Sequence, residues 1–222
     1  MIHFDPASAV RLLDTCSAGI VLVGILVAGT RSIGRAIWLV AAQALLLAVA
    51  TFGVGVATQS LHLMVGSLFT VAVRGVAMPL ILGRILRASA VRVERSPFLN
   101  PRLSLIAAIV IVFAAAMAMD HIALGGPLDA PRALPAAVAE VLTGLLIAMT
   151  RRKSLSIVVG LLVFENGLAL AAFSLTYGMP FVVELGAAFD LLMVIVVAAV
   201  YSRRMLTVFG TLSTDELRSL RG

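Results

Sequence analysis

LVFENGLALAAF, residues 162–173, is apolar except for Glu165 and Asn166. It lies inside a run, about residues 155–176, long enough to cross a bilayer, because roughly 20 apolar residues span the hydrocarbon layer as a helix. A charge at that depth costs about 2.5–3.5 kcal/mol even on the most lenient insertion scale. Whether similar runs and similar charges recur along the chain therefore decides both its fold and its chemistry.

They do recur. Of the 222 residues 61% are hydrophobic and 13% are charged, too little charge to wet the surface of a soluble domain. Seven apolar runs follow one another: about 10–29, 36–57, 61–83, 103–119, 133–150, 155–176 and 180–201, the fourth extensible to Leu124. The expected fold is all-α, a polytopic membrane helix bundle of about seven transmembrane helices forming one membrane domain over 1–222. Strands are excluded because lipid cannot satisfy an open sheet edge. Breakers separate the runs: Pro97 and Pro101, Gly125-Gly126-Pro127 with Pro131, and Gly178-Met179-Pro180. The segment before the first run, MIHFDPASAVRLLD, lacks a basic stretch, so that run reads as a membrane helix and not as a signal peptide. Cys16 is the single cysteine and rules out an internal disulfide.

Basic residues set the expected orientation. Arg31 and Arg35 lie between runs one and two; Arg84, Arg87, Arg92, Arg95 and Arg102 surround the connection from three to four. Arg151, Arg152 and Lys153 join five to six, and Arg203, Arg204, Arg218 and Arg221 follow seven. These are 14 of the 17 Lys and Arg, and the alternate connections are nearly devoid of them. By the positive-inside rule the N-terminus is outside and the C-terminus cytoplasmic. The net charge of +6 is then a topology signal, and with no basic soluble domain no nucleic-acid partner is expected.

Inside the runs lie Arg74, Glu140, Glu165, Glu184 and Asp190, with the uncharged polar residues Gln43 and Asn166 and, near the outer end of the first run, Asp14. Arg74, Glu165 and Asp190 fall at similar depth and are expected to meet. One arginine cannot neutralise four acids. Burial and a neighbouring cation act on a carboxyl in opposite directions, so this set is expected to include groups that change protonation near neutral pH, as a proton relay requires. The plainer reading is a structural ion pair that locks helices together. Asn166 is expected to bond between helices. Glu184 and Asp190, six residues apart, face different sides of their helix, roughly 240° apart. His3, His62 and His121 scatter near the outer surface and make no metal site. No P-loop, dinucleotide fingerprint, HExxH, CxxC pair or serine elbow is found. STDELRSLRG, residues 213–222, begins with a capping-box pattern and predicts a short cytoplasmic helix within 213–221.

The run RRKSLSIVVGLLVFENGLALAAF, then ELGAAFDLLMVIVV, YSRRM and the closing TDELRSLRG resemble component E of hydrogenase-4-type complexes, the membrane subunit that accompanies formate hydrogenlyase-like and related group 4 [NiFe] hydrogenases. The likeness is most specific from Arg151 onward, while the N-terminal spans, 10–124, match mainly in character. The part at 133–201 is in turn similar to the K subunit of respiratory complex I, where two membrane glutamates on consecutive helices belong to the proton path. The thirteen-residue spacing from Asp190 to Arg203 agrees with the second such position. At the first, aligning Gly160 and Asn166 puts Leu162 at the family glutamate and Glu165 about 5 Å further along the same helix face. The resemblance implies that this chain holds no cofactor. Nickel-iron and iron-sulfur centres belong to partner subunits, and antiporter-like membrane subunits and a hydrogenase-like soluble arm are the expected neighbours in a bacterial or archaeal cytoplasmic membrane. The alternative reading is a stand-alone small-solute or cation transporter with a mid-depth site; a third is a scaffold within the same complex.

The orientation is directly testable. Green fluorescent protein fused after Gly222 is expected to fluoresce and alkaline phosphatase fused there to stay inactive; the reverse pattern would invert the topology.

Overall fold

The computed structural model describes residues 6–88, 98–119 and 132–176, together with positions 192 and 195. The order is α1 (Pro6–Gly29), α2 (Ile33–Ala57), a third rod of α3 (Leu61–Thr70), a π-helical segment (Val71–Ala77) and α4 (Met78–Ala88), then α5 (Pro101–Met119), α6 (Ala133–Thr150) and α7 (Ser154–Thr176). Among the described residues there is no strand, and six rods are long and apolar enough to cross a membrane. The expected all-α, multi-pass membrane architecture is what the chain forms. The seventh run, with Glu184 and Asp190, lies outside the described residues except for the helical Leu192 and Ile195, and so does the tail at 213–221.

Helix ends follow local chemistry. α1 and α5 begin at Pro6 and Pro101, somewhat before the apolar runs, because the fixed φ of proline suits the first helical position and its missing N–H is not needed there. Ser32 caps α2, its hydroxyl accepting from the Arg35 N–H at 3.4 Å. α2 ends in a Schellman arrangement: Ser60 N–H reaches Gly55 C=O at 2.9 Å and Gln59 N–H reaches Val56 C=O at 3.3 Å. Gln59 takes the left-handed position usually given to glycine, with φ 54°, and so turns the chain sharply into α3.

Three of the connections rich in arginine come together at one end of the bundle. Arg31 donates to Asn100 Oδ1 at 3.2 Å, Arg151 to the Ala28 carbonyl at 2.6 Å, and Phe98 N–H to Thr150 C=O at 2.9 Å, while Arg152 stacks on the Phe98 ring at 4.0 Å. Arg151 thus meets the carbonyl end of α1, where a cation is favoured by the helix dipole. At the opposite end Arg132 N–H bonds Asp14 Oδ1 at 3.3 Å.

The closest helix pair is α6 with α7. A side-chain carbon at Gly144 would run into the backbone of Phe164, and one at Gly160 or Gly167 would meet the backbone of Ala148 or Val141. Without a hydrophobic force between helices in lipid, such backbone contact is the main source of packing energy. α5 lies at the periphery and turns Leu103, Ile106, Val110, Phe113 and Met117 outward, an apolar face suited to hydrocarbon.

Gly144→Val is expected to lower the stability of the detergent-purified protein by more than about 1–3 kcal/mol, the usual cost of overpacking. Gly83→Ala, with nothing within 4 Å of the added carbon, is expected to be neutral. Thermal unfolding of the two variants side by side checks the contrast.

Candidate functional site

Two polar groups meet near the middle of the bundle. The first centres on Gln43 of α2, which has no exposed surface. Its Nε2 donates to the Ile20 carbonyl of α1 at 3.0 Å and to Glu140 Oε1 of α6, and its Oε1 accepts from Asn166 Nδ2 of α7 at a long 3.5 Å. A backbone carbonyl only accepts, so the Ile20 bond fixes which way the amide points. Both amide hydrogens and the carbonyl oxygen of Gln43 are thereby used, and one side chain ties four helices together. Glu140 and Asn166 are 1% and 2% exposed. Gly24 of α1 completes this group by leaving room: a carbon added there would overlap the Glu140 carboxylate.

The second group is an ion pair. Arg74 Nη2 donates to Glu165 Oε1 at 2.6 Å, with the two side chains 6% and 13% exposed. The pair is single-stranded: Arg74 Nη1 and Glu165 Oε2 are both buried without a hydrogen-bond partner among the described residues. Glu165 and Asn166 are consecutive on α7, so the pair and the amide network stand at the same depth and share one helix.

Arg74 sits in the π-helical segment, where Met78 N–H reaches back five residues to Val73 C=O. Pro79 follows directly. It offers no N–H to the preceding turn, and its ring would press on the carbonyl four residues back; the wider turn relieves both problems. Single π turns of this kind recur at functional positions.

The pairing of Arg74 with Glu165 and the interhelical bond of Asn166 agree with what the sequence led one to expect. Glu140 joins a separate network beside the pair and does not contact Arg74. Glu184 and Asp190 lie outside the described residues, as do His3 and His121. The central place of Gln43 was not foreseen. Its signal was a lone amide in the apolar stretch 38–50, which marks a buried polar group but not its partners. Nor was the role of Gly24, whose surroundings read only as a small-residue face. Among the described residues no group of three or more His, Cys, Asp or Glu is placed to hold a metal ion. The arrangement sets two carboxyls, Glu140 fully and Glu165 largely buried, beside an amide network and a cation.

Over 211 residues the chain is 32% identical to the uncharacterized protein Rv0085 of Mycobacterium tuberculosis, covering 95% of this chain and 96% of that one. It is also 27% identical over 145 residues to hydrogenase-4 component E of Escherichia coli K12 and to the protein of the same name in Shigella flexneri, covering 65% of this chain and 67% of each relative. No protein-family model matches it, and no solved structure does.

Removing one member of a buried pair is far costlier than removing both, by about 3–5 kcal/mol for the single loss. Arg74→Met is therefore expected to destabilise the protein strongly and Arg74→Met/Glu165→Gln to recover much of the loss, as read by denaturation in detergent. Equal loss in single and double variants would mean that the two residues are not coupled.

Proposed function

The chain belongs to the family of Mycobacterium tuberculosis Rv0085, and from its further likeness to hydrogenase-4 component E we propose that it is a non-catalytic membrane subunit of a hydrogenase-4- or complex I-like respiratory complex. In this reading its buried carboxylates belong to a path for protons, or another cation, driven by redox chemistry in partner subunits. Those partners are antiporter-like membrane subunits and a hydrogenase-like soluble arm that carries the nickel-iron and iron-sulfur centres. The complex sits in a bacterial or archaeal cytoplasmic membrane, with the arginine-rich end of this chain on the cytoplasmic side.

The observation that carries the reading is the largely buried placement of Glu165 on Arg74 midway along the helices, with Glu140 on Gln43 one helix away. A purely structural clamp would need an ion pair alone. A second carboxyl, held by an amide and bonded to no cation among the described residues, costs more desolvation in the α2–α6 tie than a neutral side chain would. It does supply a place where a proton can rest. Glu165 and Asp190 take the roles of the two membrane carboxylates on consecutive helices, with Glu140, Glu184 and Arg74 adjoining the path.

The π segment beside Arg74 is the feature that favours a stand-alone transporter, since irregular backbone at mid-depth is where such proteins bind solutes. Uptake by the purified chain in liposomes would support that alternative.

In the assembled complex, Glu165→Gln and Asp190→Asn are each expected to abolish proton movement into inverted vesicles, measured per hydrogen or formate turned over, while the subunit still co-purifies. Unchanged coupling ratios in both variants would overturn the proposal.

A further inference from the structure

A narrow crevice opens between α2, α4 and α7, beside the ion pair. Ala41 and Ala44 form one wall, Pro79 and Leu162 form others, and its polar lining is Arg74 and Asn166. The crevice has room for about one water molecule.

The polar lining is not inert. Arg74 is 7% exposed and its Nη1 has no hydrogen-bond partner among the described residues; Glu165 Oε2, the far oxygen of the same pair, has none either. Asn166 is 2% exposed and spends its Nδ2 on Gln43, which leaves its carbonyl oxygen as an acceptor. A permanent cation and a buried amide thus line a space the size of a water molecule, and the unused carboxylate oxygen belongs to the ion pair beside it. Buried polar atoms left unpartnered each cost about 1–3 kcal/mol, and more when charged. An internal water typically makes about three hydrogen bonds to such atoms.

We propose that this crevice is an internal water site. The water accepts from Arg74 Nη1 and donates to Asn166 Oδ1 and Glu165 Oε2. It closes the second half of the ion pair and joins it to the Gln43–Glu140 network across Asn166. The two amides hold their protons firmly, whereas a water can accept one proton and release another. The site is therefore the link through which Glu165 exchanges protons with its surroundings without breaking its bond to Arg74. The water site itself rests on the geometry of the pair; only its use in proton exchange rests on the function proposed above.

The test is a map of the full chain in lipid, alone or with whatever subunits co-purify, at a resolution that shows internal waters, with infrared difference spectra in H2(18)O as a second readout. A peak within hydrogen-bond distance of Arg74 Nη1 and Asn166, and an isotope-sensitive O–H band, are expected. Both should disappear in Ala44→Leu, which fills the crevice, with the Arg74–Glu165 contact kept; Ala41→Val is the smaller substitution if the leucine does not assemble. A dry crevice in a map that resolves other internal waters would overturn the proposal, as would the Asp190 carboxylate or a lipid chain seated on Nη1. A peak and band that persist in Ala44→Leu would do the same. Loss of proton pumping in Glu165→Gln bears on the subunit's function and leaves the water site standing, so the two readings fail separately.

Discussion

Hydrocarbon offers no hydrogen-bond partner, and every polar atom carried into it must find one inside the protein or cost several kcal/mol. The centre of this bundle is organised around that constraint. Gln43 satisfies a backbone carbonyl of α1, a carboxyl of α6 and an amide of α7 at once. Its place is possible because Gly24 clears room for Glu140 and because the α6–α7 glycines let two backbones approach closely enough to bring Glu140 and Asn166 to the same level. Packing and polarity here are one problem: the small residues set the helix spacing, and the spacing sets which side chains can reach one another.

The ion pair obeys the same rule with a different balance. Taking two charges out of water costs several kcal/mol each, and their attraction offsets this only with good geometry and with the remaining atoms satisfied. Arg74 and Glu165 have a short contact but use half of their hydrogen-bonding capacity on it. Such a pair is a poor device for stability alone. The π segment adds to this. It places Arg74 at the widened turn ahead of Pro79, so the guanidinium is positioned by a backbone irregularity and not by helix periodicity.

Several features are legible in the sequence. Lone polar residues in apolar runs marked Gln43, Arg74, Glu140, Glu165 and Asn166 as buried, since the period and length of the runs left no other place for them. Matching depth along spans three, six and seven grouped Arg74, Glu165 and Asp190, and the first two do pair. For Glu140 depth named no partner; it stands on the side of α6 that faces Gln43. Rotation about the helix axis, not height, chose its partner. Pro79 signalled a disturbance in the third rod without revealing that the turn would widen and leave the rod unbroken.

The sequence by itself determined the class of the protein, because the length and spacing of apolar runs are fixed by the thickness of a bilayer and the rise of a helix. It determined the expected polarity of the loops, because the arginines are simply counted. Tertiary structure decided which buried polar residues are bonded to which. That choice depends on helix rotation and on backbone distances of a few ångströms, and these are set jointly by glycines and side chains far apart in the chain, such as Gly24 with Glu140 and Gly144 with Phe164.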